Sequence, residues 1–198
     1  VGMSTEVFPL NIGYISAYCE KLYGSKVEIT LFKYIEDLEK SLYENPPDIL
    51  GLSNYVWNHR IGLEMFALAH SKNPNIVTVW GGPNFPSDIE SQQNFMNNCP
   101  NVDFYVPIEG EVGFSNIVKE TINISEVDFN KEILLKKPID GCISRKSDGT
   151  LQFSIPEIRT KKLDEIPSPY LTGAMDKFFD GKLTPMIKTN RGCPFTCS

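Results

Sequence analysis

Residues Asn75 to Pro86 read NIVTVWGGPNFP. The first six are uncharged and rich in β-branched and aromatic side chains, as in a strand buried on both faces; the glycines and prolines after them end it abruptly. Strands buried on both sides belong to parallel sheets covered by helices, because a parallel connection has to cross over the sheet. The residues upstream agree. Ile61, Met65, Leu68 and Ala69 fall three and four apart, the spacing of one helical face.

Working outward, the same unit recurs. DILGLS (Asp48 to Ser53) is a second short apolar run, preceded by a helical face of Ile35, Leu38 and Leu42 that the NPP breaker at Asn45 to Pro47 closes. VEITLF (Val27 to Phe32) alternates as a strand does, and before it Ile12, Ile15, Cys19 and Leu22 line a helix that Gly24 ends. Downstream, a helix from Asp88 to Asn98 leads to VDFYVPIEGE and a last helix carrying Ile117, Val118 and Ile122. Four strands alternating with helices predict an α/β fold over residues 1–123: a doubly wound, flavodoxin-like or Rossmann-like sheet, mainly parallel. Ligands of such sheets sit beyond the carboxyl ends of the strands. Three of those ends, LSNY (Leu52 to Tyr55), GGPN (Gly81 to Asn84) and EGE (Glu109 to Glu111), expose backbone or polar groups there.

Beyond Asn123 the character changes. GCISRKSDGTLQF (Gly141 to Phe153) predicts a β-hairpin around Ser147-Asp148-Gly149, and LDEIPSPY (Leu163 to Tyr170) a proline-punctuated linker, so 124–184 reads as hairpin and linker. MIKTN (Met186 to Asn190) predicts a short strand that opens a last segment, 185–198, and feeds Cys193 and Cys197. A net charge of −6 opposes a nucleic-acid backbone. No apolar run is long enough to span a bilayer and no signal peptide is recognisable, so neither nucleic acid nor membrane is an expected partner and the expected location is the cytoplasm. Five cysteines, at 19, 99, 142, 193 and 197, have no framework spacing and read as reduced thiols.

The end of the chain, TNRGCPFTCS, resembles the opening of the cluster loop of the radical S-adenosylmethionine superfamily. Arg191, Gly192, Cys193, Pro194 and Cys197 match that loop's first positions, and its third cysteine would fall at position 200. The resemblance implies Cys193 and Cys197 as metal ligands of a 4Fe-4S cluster, S-adenosylmethionine as the molecule bound at its open iron, and an external electron donor. A second resemblance covers most of the chain. PLNIGYISAYCEK, DILGLSNYVWN, VTVWGGP, PIEGEVGF and LDEIPSPY, in that order, look like the cobalamin-dependent radical S-adenosylmethionine enzymes, in which a cobalamin-binding domain precedes the radical barrel. It implies cobalamin as a cofactor, a truncated barrel at 185–198, and a first strand missing before Pro9, so that the chain is an internal piece of a longer protein.

The implied cofactor contacts are Ser53, Asn54, Tyr55, Trp57, Gly81, Gly82, Pro83, Glu109, Gly110 and Glu111. Gly81 and Gly82 leave room for a large flat ligand or form a plain turn. Ser53 and Asn54 contact it or cap a turn. Tyr55 and Trp57 wall a corrin ring or pack in the core. Glu109 and Glu111 touch the cofactor's periphery or cap the next helix. His59 reads as a surface residue at a helix start, since Trp57 stands where a cobalt-ligating motif has Asp; His70 reads as solvated or as facing its helix's C-terminus. No catalytic residue is assigned. The implied activity is radical chemistry, with methyl transfer to an unactivated carbon of a small molecule or biosynthetic intermediate. The competing reading is a non-catalytic flavodoxin-like module with incidental cysteines.

Overall fold

The computed structural model describes residues 6–125, 129–154 and 163–189. Its order is α1 (Leu10–Tyr23), α2 (Ile35–Glu44), β1 (Ile49–Ser53), α3 (His59–Lys72), β2 (Val77–Gly81), α4 (Ile89–Asn97), β3 (Phe104–Val106), α5 (Gly110–Ser125), α6 (Lys131–Leu135), β4 (Cys142–Arg145) and β5 (Leu151–Ser154). The strands form one sheet in the order β1-β2-β3-β4-β5. The first three are parallel, with Ile49 beside Val77 and Val79 beside Phe104.

Alternation along β2 explains how the sheet is covered. Val77 and Val79 point to one face, where Phe104, Ile117 of α5 and Leu134 of α6 join them. Trp80 points to the other, among Leu42 of α2, Phe66 of α3, Met96 of α4 and Tyr105. Helix α1 packs on α5. Helices therefore cover both faces, and the fold is the doubly wound α/β class that the NIVTVW run predicts.

The hairpin is also present, and it continues the sheet. β4 pairs antiparallel with β3 and β5 with β4; in the turn Asp148 Oδ1 accepts from the Thr150 amide at 2.9 Å. Arg145, at the end of β4, reaches back to the α4–β3 connection and donates to the carbonyls of Met96, Cys99, Pro100 and Val102 at 2.5–3.3 Å. One guanidinium thereby bonds four carbonyls at a helix end and a turn; those of Met96 and Cys99 also accept from the amides of Cys99 and Val102.

Three local expectations are corrected. VEITLF is not a strand: residues 27–32 join no ladder, although Val27 is extended and exposure alternates from 27 to 31. Alternation specifies an extended backbone, whereas a strand also needs a neighbour. Here the Leu31 carbonyl accepts from Lys177 and its side chain joins a cluster of Phe8, Met175, Phe178 and Leu183. MIKTN forms no strand over Met186–Thr189, because the Tyr170 hydroxyl occupies both the amide and the carbonyl of Met186, at 3.1 and 2.6 Å; Asn190 lies outside the described residues. The buried stripe of α1 is Leu10, Gly13, Ser16, Ala17 and Cys19, and Leu22 is exposed.

Small residues in that stripe admit a strap. Residues 163–184 fold back over α1, and a side chain at Gly13 would overlap Met175 and stand 3.1 Å from Pro169 Cβ. Lys21 Nζ donates to the Glu165 carbonyl at 2.6 Å. The strap ends where Val7 and Thr184 form an isolated parallel bridge.

Candidate functional site

The carboxyl ends of β1, β2 and β3 lie side by side, Ser53 beside Gly81 and Gly81 beside Val106. The loop after β1 is tied by Asn58, which precedes α3. Its amide group donates to the Ser53 carbonyl and its Oδ1 accepts from the Tyr55 amide, both at 2.8 Å. The tie presents Tyr55 and Trp57 as a stacked pair, ring centres 4.7 Å apart and planes within 8°. Trp57 is 65% exposed and Val56 79%. Large apolar groups held open at a strand end form a ready flat surface. Asn11 of α1 reaches the Tyr55 hydroxyl at 3.4 Å.

Beneath this surface, Asn54 is fully buried. Its amide nitrogen donates to the Asn84 carbonyl at 2.8 Å and the Tyr105 hydroxyl at 3.3 Å; its Oδ1 faces Asn84 Nδ2 at 3.1 Å and His59 Nδ1 at 3.2 Å. Tyr105 in turn donates to the Gly82 carbonyl at 2.8 Å. Gly82 has φ +125°, and a Cβ there would stand 2.6 Å from the Asn54 carbonyl oxygen. Its lack of a side chain lets two strand-end loops touch through their backbones.

His59 begins α3 and is half-buried, with its ring turned inward. Its ring stacks on buried Trp80 at 4.8 Å, with Phe95 edge-on at 5.6 Å, because the loop turns it back toward the core. Burial lowers its pKa below the ordinary 6.5, so the ring is neutral at pH 7. His70 faces the Asn101 carbonyl at 3.3 Å, and burial and then nearby Lys131 lower its pKa also.

At the third strand end, Gly110 opens α5 against Ile15 of α1. Glu111 lies in the first helical turn and is buried, where a carboxylate complements the helix dipole; Glu109 is half-buried. Tyr18 of α1 shares this corner: burial and then Glu165, Cys19, Glu111 and Glu109 raise its pKa.

Of the residues singled out from sequence, Ser53, Tyr55, Trp57, Gly81, Gly82, Pro83, Glu109, Gly110 and Glu111 come together around these three ends, with Asn54 underneath. Cys193 and Cys197 lie outside the described residues. Sequence reasoning missed Tyr105, hidden as one aromatic in a strand, and the inward turn of His59. Asn84 stood in the quoted GGPN without a role. The described groups suit binding: an exposed aromatic plane, a neutral hydrogen-bonded floor and close backbone. Among the described residues no cluster of His, Cys, Asp or Glu could hold a metal ion.

Comparison with known proteins bears on which ligand fits this surface. The family model described as "B12 binding domain" matches residues 3–118. This chain belongs to the B12-binding domain family. Relatives similar over the whole chain include the cobalamin-dependent radical SAM methyltransferase TokK of Streptomyces tokunonensis, 30% identical, and 2-(S-pantetheinyl)-carbapenam-3-carboxylate methyltransferase of Streptantibioticus cattleyicolor, 28% identical. The chain spans 29% of the length of each. In fold, this B12-binding domain is similar to the cobalamin-dependent S-adenosylmethionine radical enzyme OxsB with aqua-cobalamin and S-adenosylmethionine bound. That match has a TM-score of 0.64 at 20% identity and covers 96% of this chain and 25% of the other.

Proposed function

We propose that this B12-binding domain seats cobalamin over the ends of β1, β2 and β3, as part of a cobalamin-dependent radical S-adenosylmethionine enzyme that methylates an unactivated carbon. The observation that carries the seating is the stacked pair Tyr55 and Trp57, held open by Asn58 at the point in the fold where such sheets take ligands. The residues fit a corrin: a flat apolar wall beside the backbone of Gly81 to Pro83 and the half-buried Glu109–Gly110 corner.

Within this reading Trp57 and Tyr55 cover one face of the macrocycle, Gly81, Gly82 and Pro83 offer main-chain groups to its periphery, and Ser53 and the residues from Glu109 to Glu111 line the rim. His59 keeps to the Trp80 stack and serves the floor. Cys193 and Cys197 supply two of the thiolates for a 4Fe-4S cluster that binds S-adenosylmethionine. Bound cobalamin would supply a cobalt-carried methyl group, and the cluster with S-adenosylmethionine the radical that opens a carbon–hydrogen bond. A small molecule or biosynthetic intermediate is the substrate, an external donor supplies the electron, and the cytoplasm is the compartment. Three buried free thiols, Cys19, Cys99 and Cys142, suit a reducing location.

Titration with hydroxocobalamin tests the seating. Binding should shift the corrin absorbance and quench Trp57, and Trp57→Ala should weaken it about tenfold or more while leaving stability unchanged, since the side chain is exposed. An unchanged corrin spectrum with unquenched tryptophan would overturn the reading.

A further inference from the structure

We infer that Asn54 is a positioning residue: its buried amide holds the loops after β1 and β2 in one register and thereby sets the platform that Tyr55 and Trp57 offer to a ligand. The identity of the ligand rests on the cobalamin reading above; the positioning role rests on geometry alone.

The bonding capacity of the amide is fully committed. Its two N–H protons go to the Asn84 carbonyl and the Tyr105 hydroxyl. Both lone-pair directions of Oδ1 are used, by Asn84 Nδ2 and by His59 Nδ1. The proton of Tyr105 is fixed by its partners. Tyr105 spends its own proton on the Gly82 carbonyl, so its oxygen is free to accept from Asn54. Oδ1 has no proton to give, so the shorter His59 contact, 3.2 Å against 3.5 Å from Nδ1 to Asn84 Nδ2, is a bond in which Nδ1 donates.

The main chain of Asn54 makes the same connection. Its amide donates to the Gly81 carbonyl at 2.6 Å, and its carbonyl accepts from the Asn84 amide at 3.3 Å. One residue therefore ties the end of β1 to Gly81 at the end of β2, to Asn84 beyond it, to Tyr105 in β3 and to His59 at the start of α3. Tyr55 follows it directly, so any rotation of the Asn54 peptide moves the aromatic pair. A side chain with no exposed surface does not itself meet a ligand.

Asn54→Asp keeps the shape but removes both N–H donors and sets a carboxylate oxygen against the Asn84 carbonyl. Asn54→Ala removes the group. Thr78→Val, whose hydroxyl bonds Asn101 and Asp103 at the far end of β2, is the control for stability loss alone. In ligand-free protein, amide hydrogen exchange over residues 54–58 and 82–86 should accelerate about tenfold or more in both Asn54 variants and stay at the native rate in Thr78→Val. Hydroxocobalamin affinity, read by Trp57 quenching, should fall about tenfold in the Asn54 variants and hold in the control. If an Asn54 variant does not fold, Tyr105→Phe, which deletes one hydroxyl of the network, should give the same changes at several-fold. Exchange in the two loops equal to that of Thr78→Val, or faster exchange with unchanged affinity, would overturn the role. Wild-type protein that does not bind hydroxocobalamin would refute the proposed function, and the exchange comparison would still decide the role of Asn54.

Discussion

A methyl group placed on Gly82 would lie 2.6 Å from the carbonyl oxygen of Asn54 and 3.1 Å from its nitrogen, on a backbone with φ +125°. Alanine in that conformation carries about 1–3 kcal/mol of strain. Relieving the contact would draw the loop away from β1 and weaken Asn54 N to Gly81 O and Asn84 N to Asn54 O, each bond worth about 1 kcal/mol. Gly82→Ala should therefore cost about 3 kcal/mol, which for a chain of this length lowers Tm by about 6–12 °C. The neighbouring Gly81 gives the comparison. A Cβ there meets the Val106 carbonyl oxygen at 3.4 Å with no positive φ, so Gly81→Ala should cost less than about 1 kcal/mol. Urea unfolding followed by circular dichroism measures both. Equal losses in the two variants would refute the account of how the strand ends meet.

Removing Arg145 should cost about 2–4 kcal/mol, since four carbonyls lose one charged donor, and Arg145→Lys should recover less than half because an ammonium cannot span the fork; urea midpoints read both. Stability should rise with pH up to about the ordinary histidine value of 6.5. Folded His59 and His70 have lowered pKa values, so the unfolded chain binds more protons below that point and the folded chain loses stability as pH falls. Denaturation at pH 5.5 and 7.5 should show the slope, and His59→Gln with His70→Gln should flatten it. Asp88 and Asp148 act in the same direction only near and below their usual 3.8, their carboxylates being held ionised by Ser91 and Thr150. Burial pushes the Cys19 thiol up to about 12 and also raises Cys99 and Cys142, so these three should resist alkylation at pH 8 in folded protein and react in urea; rapid labelling of native protein by mass spectrometry would contradict their burial.

The layers of the fold were legible because burial leaves a periodic trace. NIVTVW could only be a doubly covered strand, and helix faces three and four apart had to flank it. VEITLF misled because alternation reports an extended backbone without reporting a neighbour, and its carbonyl and side chain went to a strap more than a hundred residues later. The hairpin was readable from its turn chemistry, yet nothing in it said that β4 would lie against β3. At the site, the glycines and the aromatic pair announced a strand end. The floor did not, because Asn54, Asn84 and Tyr105 each have an ordinary local reading, and the network exists only once three strands are side by side.

The bridge between Val7 and Thr184 has a mechanical meaning. The two segments run parallel, joined by Phe8 N to Thr184 O at 3.0 Å and Thr184 N to Glu6 O at 2.6 Å. Tension applied backward from Val7 and forward from Thr184 pulls the pair along its own axis. Its bonds are then loaded together in shear and do not open one at a time, and the force is shunted past the sheet. Motion of whatever is attached beyond either segment would be felt first at this clamp, and the strand ends that hold the aromatic platform would be shielded from it.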